Sequence, residues 1–207
     1  MATISDLKFQ KNKKRVNVFL DGAYQCALQY ETIVKAGLKV GDDVELDELE
    51  KIQFDSEINR AKEITLSLIE KKMYTTVELK RKLKEKGFLP NILDSVCESL
   101  SDYGYIDDKV FVKAYCLDNK KRSKKDLMFK LKTKGISEAD IKEQLESIDP
   151  TEEKINCRFW AQKFLRVNSH KQNLKQKLVS HLGSKGFGFD TIRAVVDELM
   201  GGEGEYD

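Results

Sequence analysis

The chain is short of proline, histidine and tryptophan, and it contains no long apolar run. The chain has only two prolines in 207 residues. This scarcity favours helix, because a proline inside a helix removes a backbone hydrogen-bond donor and breaks the helix. A membrane-spanning helix needs about 20 consecutive apolar residues, and no stretch of this sequence approaches that length. The N-terminus also lacks the basic region followed by an apolar one that marks a secretory signal. These absences predict a cytoplasmic, mainly helical protein.

The sequence also lacks a C-x-x-C pair. Its four cysteines are Cys26, Cys97, Cys116 and Cys157. Cysteines so far apart, without a secretory signal, are typical of reduced thiols rather than of a disulfide framework or a zinc site. We expect most of them to be buried.

No constellation of catalytic or metal-binding residues is evident. His170 and His181 are the only histidines, and at about three helical turns apart they cannot share a metal ion without other ligands. Asp107-Asp108 is a conceivable Mg²⁺ ligand pair, but a helix N-cap followed by a first-turn acid is the favoured interpretation. We predict a protein that is not an enzyme and that has no catalytic residues, no cofactor and no metal ion.

The only strand-like segment lies near the N-terminus. Two alternating apolar runs, 16–20 and 24–28, are joined by Asp21-Gly22, a pair that accepts the positive φ of a hairpin turn. Residues 4–9 are a candidate third strand. A small sheet is therefore expected to precede the helices.

From residue 55 onward the apolar spacing is helical. Long helices are predicted over 55–71, 107–119 and 151–166. Thr75 and Glu78 have the spacing of a capping box, in which each side chain bonds a free backbone donor, and Ser169 and Gln172 have the same spacing. Shorter helices are therefore predicted to start after Thr75 and after Ser169.

A repeat surrounds three glycines, Gly87, Gly135 and Gly186, each of which follows a lysine. Leucines precede each glycine by eight and four residues: Leu79 and Leu83, Leu127 and Leu131, Leu178 and Leu182. A left-handed glycine commonly closes a helix. Each repeat is therefore predicted to contain three helices: one long helix, then a shorter helix that ends in the Lys-Gly turn, then a third helix.

Three such units are predicted to stack into an elongated, curved array, since one unit alone cannot bury its apolar stripe. The predicted divisions are a small β-rich segment at 1–50, helical repeats at 51–106, 107–149 and 150–200, and an acidic tail at 201–207.

Charge is segregated along the chain, although the net charge is only +2. Residues 117–134 and residues 152–185 each carry eight basic and two acidic side chains. The candidate partner-binding or DNA-binding residues are Lys80, Arg81, Lys84, Lys120, Lys121, Arg122, Lys124, Lys125, Arg158, Lys171 and Lys175. Such runs suit phosphates or an acidic protein surface, and solvated helix faces are the alternative. The junction 120–125 should be exposed. Phe159, Trp160 and Phe164 have the helical spacing of core residues, and a platform for base stacking is the alternative.

Three features resemble the RecX family of recombination regulators. Residues 103–108, Tyr-Gly-Tyr-Ile-Asp-Asp, look like the family's G-Y-[IL]-[DN]-[DE] signature at the start of its second helical unit. The Leu-x3-Leu-x3-Gly repeat is the second feature. The third is the Leu20-Asp21-Gly22 hairpin, which is similar to the N-terminal extension of longer members from Gram-positive bacteria.

The resemblance implies a protein that binds RecA, lies in the groove of the RecA–DNA filament and modulates, mainly by inhibition, the recombinase activities used in DNA repair and the SOS response. It carries over no catalytic residues. We expect a monomer with the RecA filament as its partner, and direct contact with DNA is left open. The alternative is a nucleic-acid-binding protein that acts without RecA, whose binding should weaken steeply with salt.

Overall fold

A computed structural model describes residues 1–11, 13–170 and 172–201. The candidate residue Lys171 and most of the predicted acidic tail, residues 202–207, lie outside the described residues. The chain divides into two compact units, Met1–Ile106 and Asp107–Asp207. They are called the first and the second unit below.

The first unit contains the sheet and the first helical repeat. Its elements are β1 (Ala2–Phe9), β2 (Arg15–Leu20), β3 (Ala23–Gln29), α1 (Tyr30–Ala36), β4 (Asp43–Val44), α2 (Leu46–Ile69), α3 (Thr76–Glu85) and α4 (Pro90–Asp102). The second unit contains α5 (Asp108–Asp118), α6 (Lys124–Thr133), α7 (Glu138–Glu146), α8 (Pro150–Asn168), α9 (Leu174–Ser184) and α10 (Phe189–Met200). The expected mainly helical fold behind a small N-terminal sheet is confirmed.

The antiparallel sheet has the strand order β3-β2-β1-β4. The predicted hairpin joins β2 to β3, and its turn residues Asp21 and Gly22 have φ angles of 48° and 85°. Both angles lie in the left-handed region that such a turn requires. The candidate third strand is β1, whereas β4 was not predicted and pairs with the start of β1.

Helix α2 begins at Leu46, so the predicted start at residue 55 is wrong. The first half of the helix packs Leu49 and Ile52 against the core of the sheet. The second half packs Ala61 against the leucines of α3 and the apolar side of α4. Asp47, Glu48 and Glu50 therefore belong to the helix, because its apolar side packs against the sheet.

The repeat is confirmed in all three places. The six leucines that precede the glycines are at most 2% exposed. The three glycines have φ angles of 85°, 83° and 84°. In each turn the residue after the glycine donates its backbone N–H to the carbonyl of the nearer leucine, over 3.2 to 3.3 Å. This is the bond pattern that closes a helix behind a left-handed residue.

One of the two predicted capping boxes is wrong. Thr75 and Glu78 form the expected reciprocal pair at the start of α3. Ser169, in contrast, keeps right-handed helical angles after α8, and α9 starts only after Asn173, which has a φ of 55°. A capping residue needs a backbone outside the right-handed helical region, so Ser169 cannot cap a following helix.

The four cysteines are free and buried, as expected. Burial raises the pKa of both the Cys26 and the Cys157 thiol to about 11. They are therefore protonated at neutral pH and pack as small apolar side chains. No described helix is long and apolar enough to cross a membrane.

Candidate interaction surface

The loop between α5 and α6 carries the predicted basic junction and is held by the third repeat. Ser123 caps α6 by accepting the backbone N–H of Asp126 at 3.1 Å, and it donates its own hydroxyl to the carbonyl of Lys185 at 2.7 Å. Its side chain is fully buried there. Lys185, the residue that directly follows α9, is thereby joined to the start of α6.

Helix α8 holds the same loop from a second side. Asn156 donates to the carbonyl of Lys120 at 2.7 Å, and the indole N–H of Trp160 donates to the carbonyl of Lys121 at 2.8 Å. Because both carbonyls point inward, the Lys120 and Lys121 side chains remain exposed. The rigid backbone thus presents two cations to solvent.

These contacts create a cleft of about 460 Å³, here called the basic cleft. Its lining includes five cationic side chains, Lys120, Lys121, Arg122, Lys130 and Lys185. It includes only two carboxylates, Asp118 and Asp126. Five positive and two negative groups leave a formal charge of +3, so the cleft is a site of positive potential.

Most of the cleft's cations are not neutralised by acids. Arg122 pairs with Asp126 at 2.7 Å and also donates to Asn119. For the four lysines of the basic cleft, no carboxylate within the described part of the chain lies within 4.0 Å. The ammonium groups of Lys121 and Lys185 instead lie over the rings of Phe159 and Trp160, at 4.2 and 4.4 Å. These cations remain available to an anionic partner.

The expectation of an exposed junction is right only in part. Lys120, Lys121 and Lys125 are exposed, whereas Arg122 and Lys124 are half-buried. The ammonium group of Lys124 donates to the carbonyl of Ile148 at 2.8 Å, and its backbone N–H donates to Glu153 at 3.1 Å. Lys124 therefore joins the second repeat to the start of α8 and does not line the basic cleft.

The aromatic residues of α8 also divide into two kinds. Trp160 and Phe164 pack against the core of the third repeat, as expected. Phe159 is exposed and contacts Trp160 edge to face, so the expectation that it is a core residue is wrong. It lies one residue from Trp160 on the helix and consequently faces away from the core.

Two further candidates of the second unit pair with acids of α10. Arg158 binds both carboxylate oxygens of Glu198, at 2.5 and 2.7 Å, and this hydrogen bonding is the main reason that the pKa of Glu198 is lowered. Lys175 lies 3.3 Å from Asp197. These cations connect helices within the third repeat, and the structure does not bring them to the lining of the basic cleft.

Three candidates lie in the first unit, on α3. Lys80 pairs with Asp94 of α4 at 2.6 Å, and the hydrogen bond raises the pKa of Lys80. Arg81 and Lys84 are exposed. The role of all these candidates in binding stays a prediction.

Lys130 and Lys185 of the basic cleft were not among the sequence candidates. Lys185 belongs to the Lys-Gly turn of the third repeat, and this turn meets Ser123 from 62 positions away. The sequence does contain one sign that α8 contacts another segment, namely Trp160, because a partly buried indole N–H usually needs a hydrogen-bond acceptor. Among the residues that the structure describes, no group of three or more His, Cys, Asp or Glu could hold a metal ion.

Known family models match two segments of the chain. The model described as "Regulatory protein RecX N-terminal domain" matches residues 2–45. The model described as "RecX, first three-helix domain" matches residues 61–100. The first match covers the sheet, and the second covers most of the first helical repeat.

Whole-length relatives carry the same name. "Regulatory protein RecX" of Clostridium botulinum (strain Alaska E43 / Type E3) is 34% identical over 97% of this chain and 97% of its own length. The Bacillus subtilis (strain 168) protein of that name is 32% identical over 92% of this chain and 74% of its own. A crystal structure titled as regulatory protein RecX has the same fold, with a TM-score of 0.70 and 24% identity over 95% of this chain and 100% of that one. The chain therefore belongs to the RecX family of regulatory proteins.

Proposed function

We propose that this protein docks in the groove of the RecA filament on DNA and modulates RecA, mainly by inhibiting its recombinase activities. The observation that carries the proposal is the basic cleft. The loop between α5 and α6, helix α6 and the Lys-Gly turn after α9 together present four lysines that have no acidic partner within the described residues. A filament of DNA and protein is polyanionic, and a cleft of opposite charge raises the rate of productive encounter.

Tandem repeats suit such a target because the target is itself repetitive. Each repeat can make a weak contact with a neighbouring subunit, and linked weak contacts reinforce one another through their effective concentration. Docking of this kind requires no catalytic residue. We therefore also propose that the protein is not an enzyme and that it acts as a cytoplasmic monomer.

The proposal is tested by adding the protein to RecA on single-stranded DNA and measuring strand exchange and ATP hydrolysis. We expect both to fall when the protein is substoichiometric to RecA, because one bound molecule affects several filament subunits. A pull-down with RecA–DNA filaments, with RecA omitted as the control, measures docking itself. Inhibition that appears only when enough protein is present to coat all the DNA contradicts the proposal.

A second candidate function is direct nucleic-acid binding without RecA. It is favoured by the same unpaired lysines, since phosphates bind such groups without a protein partner. Salt separates the two functions. Binding to phosphates alone should fall steeply as salt rises, whereas docking on a filament should keep a salt-resistant part.

A further inference from the structure

The turn between β1 and β2 is the most basic short segment of the first unit. Residues 8–15 contain five cations and no acid. Lys8 pairs with Asp6 at 2.9 Å, and Arg15 pairs with Glu57 at 2.8 Å. The turn itself carries Lys11, Lys13 and Lys14, all of which are exposed.

Backbone hydrogen bonds join described residues of this turn to one another and to the start of α1. Gln10 donates its N–H to the carbonyl of Arg15 at 2.9 Å, and Lys13 donates to the carbonyl of Gln10 at 2.9 Å. The backbone N–H of Tyr30 donates to the carbonyl of Lys14 at 2.9 Å. Within the described part of the chain, no carboxylate lies within 4.0 Å of Lys11 or Lys13. Their charge therefore faces solvent.

Two exposed aromatic rings lie beside the turn. Phe9 is the last residue of β1 and Tyr30 is the first residue of α1, and their ring centroids are 5.2 Å apart. The side chains are 56% and 47% exposed. The bond from Tyr30 to the Lys14 carbonyl keeps the rings at the same end of the sheet as the lysines. Exposed rings next to cations are the arrangement on which unpaired bases stack while their phosphates meet the cations.

We propose that Phe9, Tyr30 and the lysines of the β1–β2 turn form a binding site for single-stranded nucleic acid. The rings explain why the ligand is single-stranded, because the bases of a duplex are stacked on one another and cannot reach a side-chain ring. The rings also favour nucleic acid over an acidic peptide, which would use the lysines alone. The site is separate from the basic cleft and does not depend on RecA.

Photo-crosslinking of the full-length protein tests the site directly. An oligothymidylate that contains 5-iodouracil is irradiated with the protein in the absence of RecA, and the adducts are mapped by mass spectrometry. We expect adducts on Phe9 or Tyr30. A variant with Phe9→Leu and Tyr30→Leu should lose them and bind the oligonucleotide about tenfold more weakly, while its melting temperature shows whether it is folded. Adducts confined to other parts of the chain would overturn the proposal.

A charge-matched pair of variants tests the lysines. Lys11→Gln, Lys13→Gln and Lys14→Gln together should lower the slope of log affinity against log salt by roughly 2, since each phosphate contact on a single strand contributes about 0.7. The control neutralises three exposed lysines elsewhere in the first unit, Lys35, Lys39 and Lys51, and should change the slope less. Equal changes in the two variants contradict the proposal. If a duplex binds as tightly as the single strand, the site recognises only the phosphate backbone of nucleic acid and the proposal is overturned. If polyglutamate competes as well as the single strand, the site binds acidic proteins and the proposal is likewise overturned.

Discussion

The close contact between Gly186 and Ser123 permits a sharp test of how the second and third repeats are joined. A Cβ added at Gly186 would lie 2.8 Å from the Ser123 hydroxyl oxygen, well inside ordinary van der Waals distance. At Gly87, which has nearly the same φ, an added Cβ would meet nothing within 4 Å. Both glycines follow a lysine and close a helix of the repeat with the same turn bond, so Gly87→Ala is a matched control for Gly186→Ala.

The expected difference follows from these contacts. Each alanine substitution places a side chain in the left-handed region, which costs about 1–2 kcal/mol. At Gly186 the Ser123 hydroxyl must also move away from its bonds to Lys185 and Asp126, each worth about 0.5–1.5 kcal/mol. We therefore expect Gly186→Ala to destabilise the protein by about 1–3 kcal/mol more than Gly87→Ala.

The assay is urea unfolding followed by circular dichroism and by the fluorescence of the single tryptophan, Trp160, which lies beside the junction. The background Ser123→Gly removes the obstructing hydroxyl and costs little as an N-cap. In that background the added cost of Gly186→Ala should fall to that of Gly87→Ala. Equal costs of the two alanine variants in the unmodified protein would refute the packing of α9 against the start of α6.

Three other predictions concern the core, the junction and the basic cleft. Leu83→Ala should cost roughly 2–5 kcal/mol in chemical denaturation, because this side chain is fully buried; an unchanged midpoint would contradict the repeat at that site. Burial raises the pKa of Glu153 above 4.5, although the Lys124 N–H and charge oppose the shift, so the folded state binds the proton more readily than the unfolded state. The free energy of unfolding, measured relative to that of the Glu153→Gln variant, should thus rise as pH falls from the raised folded pKa toward 4.5. A difference in unfolding free energy that does not change with pH would contradict the burial of the Glu153 carboxylate. Changing Lys120, Lys121 and Lys130 to Gln should slow association with RecA filaments, mostly at low salt where screening is weak. The control variant changes the exposed Lys113, Lys163 and Lys177 to Gln and should slow association less. Identical association rates for the two variants would show that the basic cleft takes no part in docking.

The helical repeat was predictable because its signals are local. A leucine four or eight residues before a left-handed glycine lies on the same face of one helix, and the glycine itself ends that helix. Leu79 and Gly87 thus act within one short segment. The Asp21-Gly22 hairpin is predictable for the same reason.

The start of α2 and the strand β4 were missed because each depends on a distant partner. The residues of β4 are recognisable as a strand only through their pairing with Ala2 and Thr3. The first half of α2 is stabilised where Leu49 meets the sheet. The sequence around them is rich in acids, and acids alone do not distinguish a helix start from a loop.

The sequence by itself determined the helical repeats, the N-terminal hairpin, the buried thiols and the segregation of charge, since each is written in residue types at short spacing. Only the tertiary structure decided which cations are paired and which are presented to solvent. Arg158 of α8 pairs with Glu198 of α10, whereas the Lys121 side chain points outward because the Lys121 carbonyl accepts the indole N–H of Trp160. The basic cleft likewise exists because Ser123 and Lys185, far apart along the chain, are brought together by packing. Such contacts depend on which helix faces which, and no local spacing specifies that.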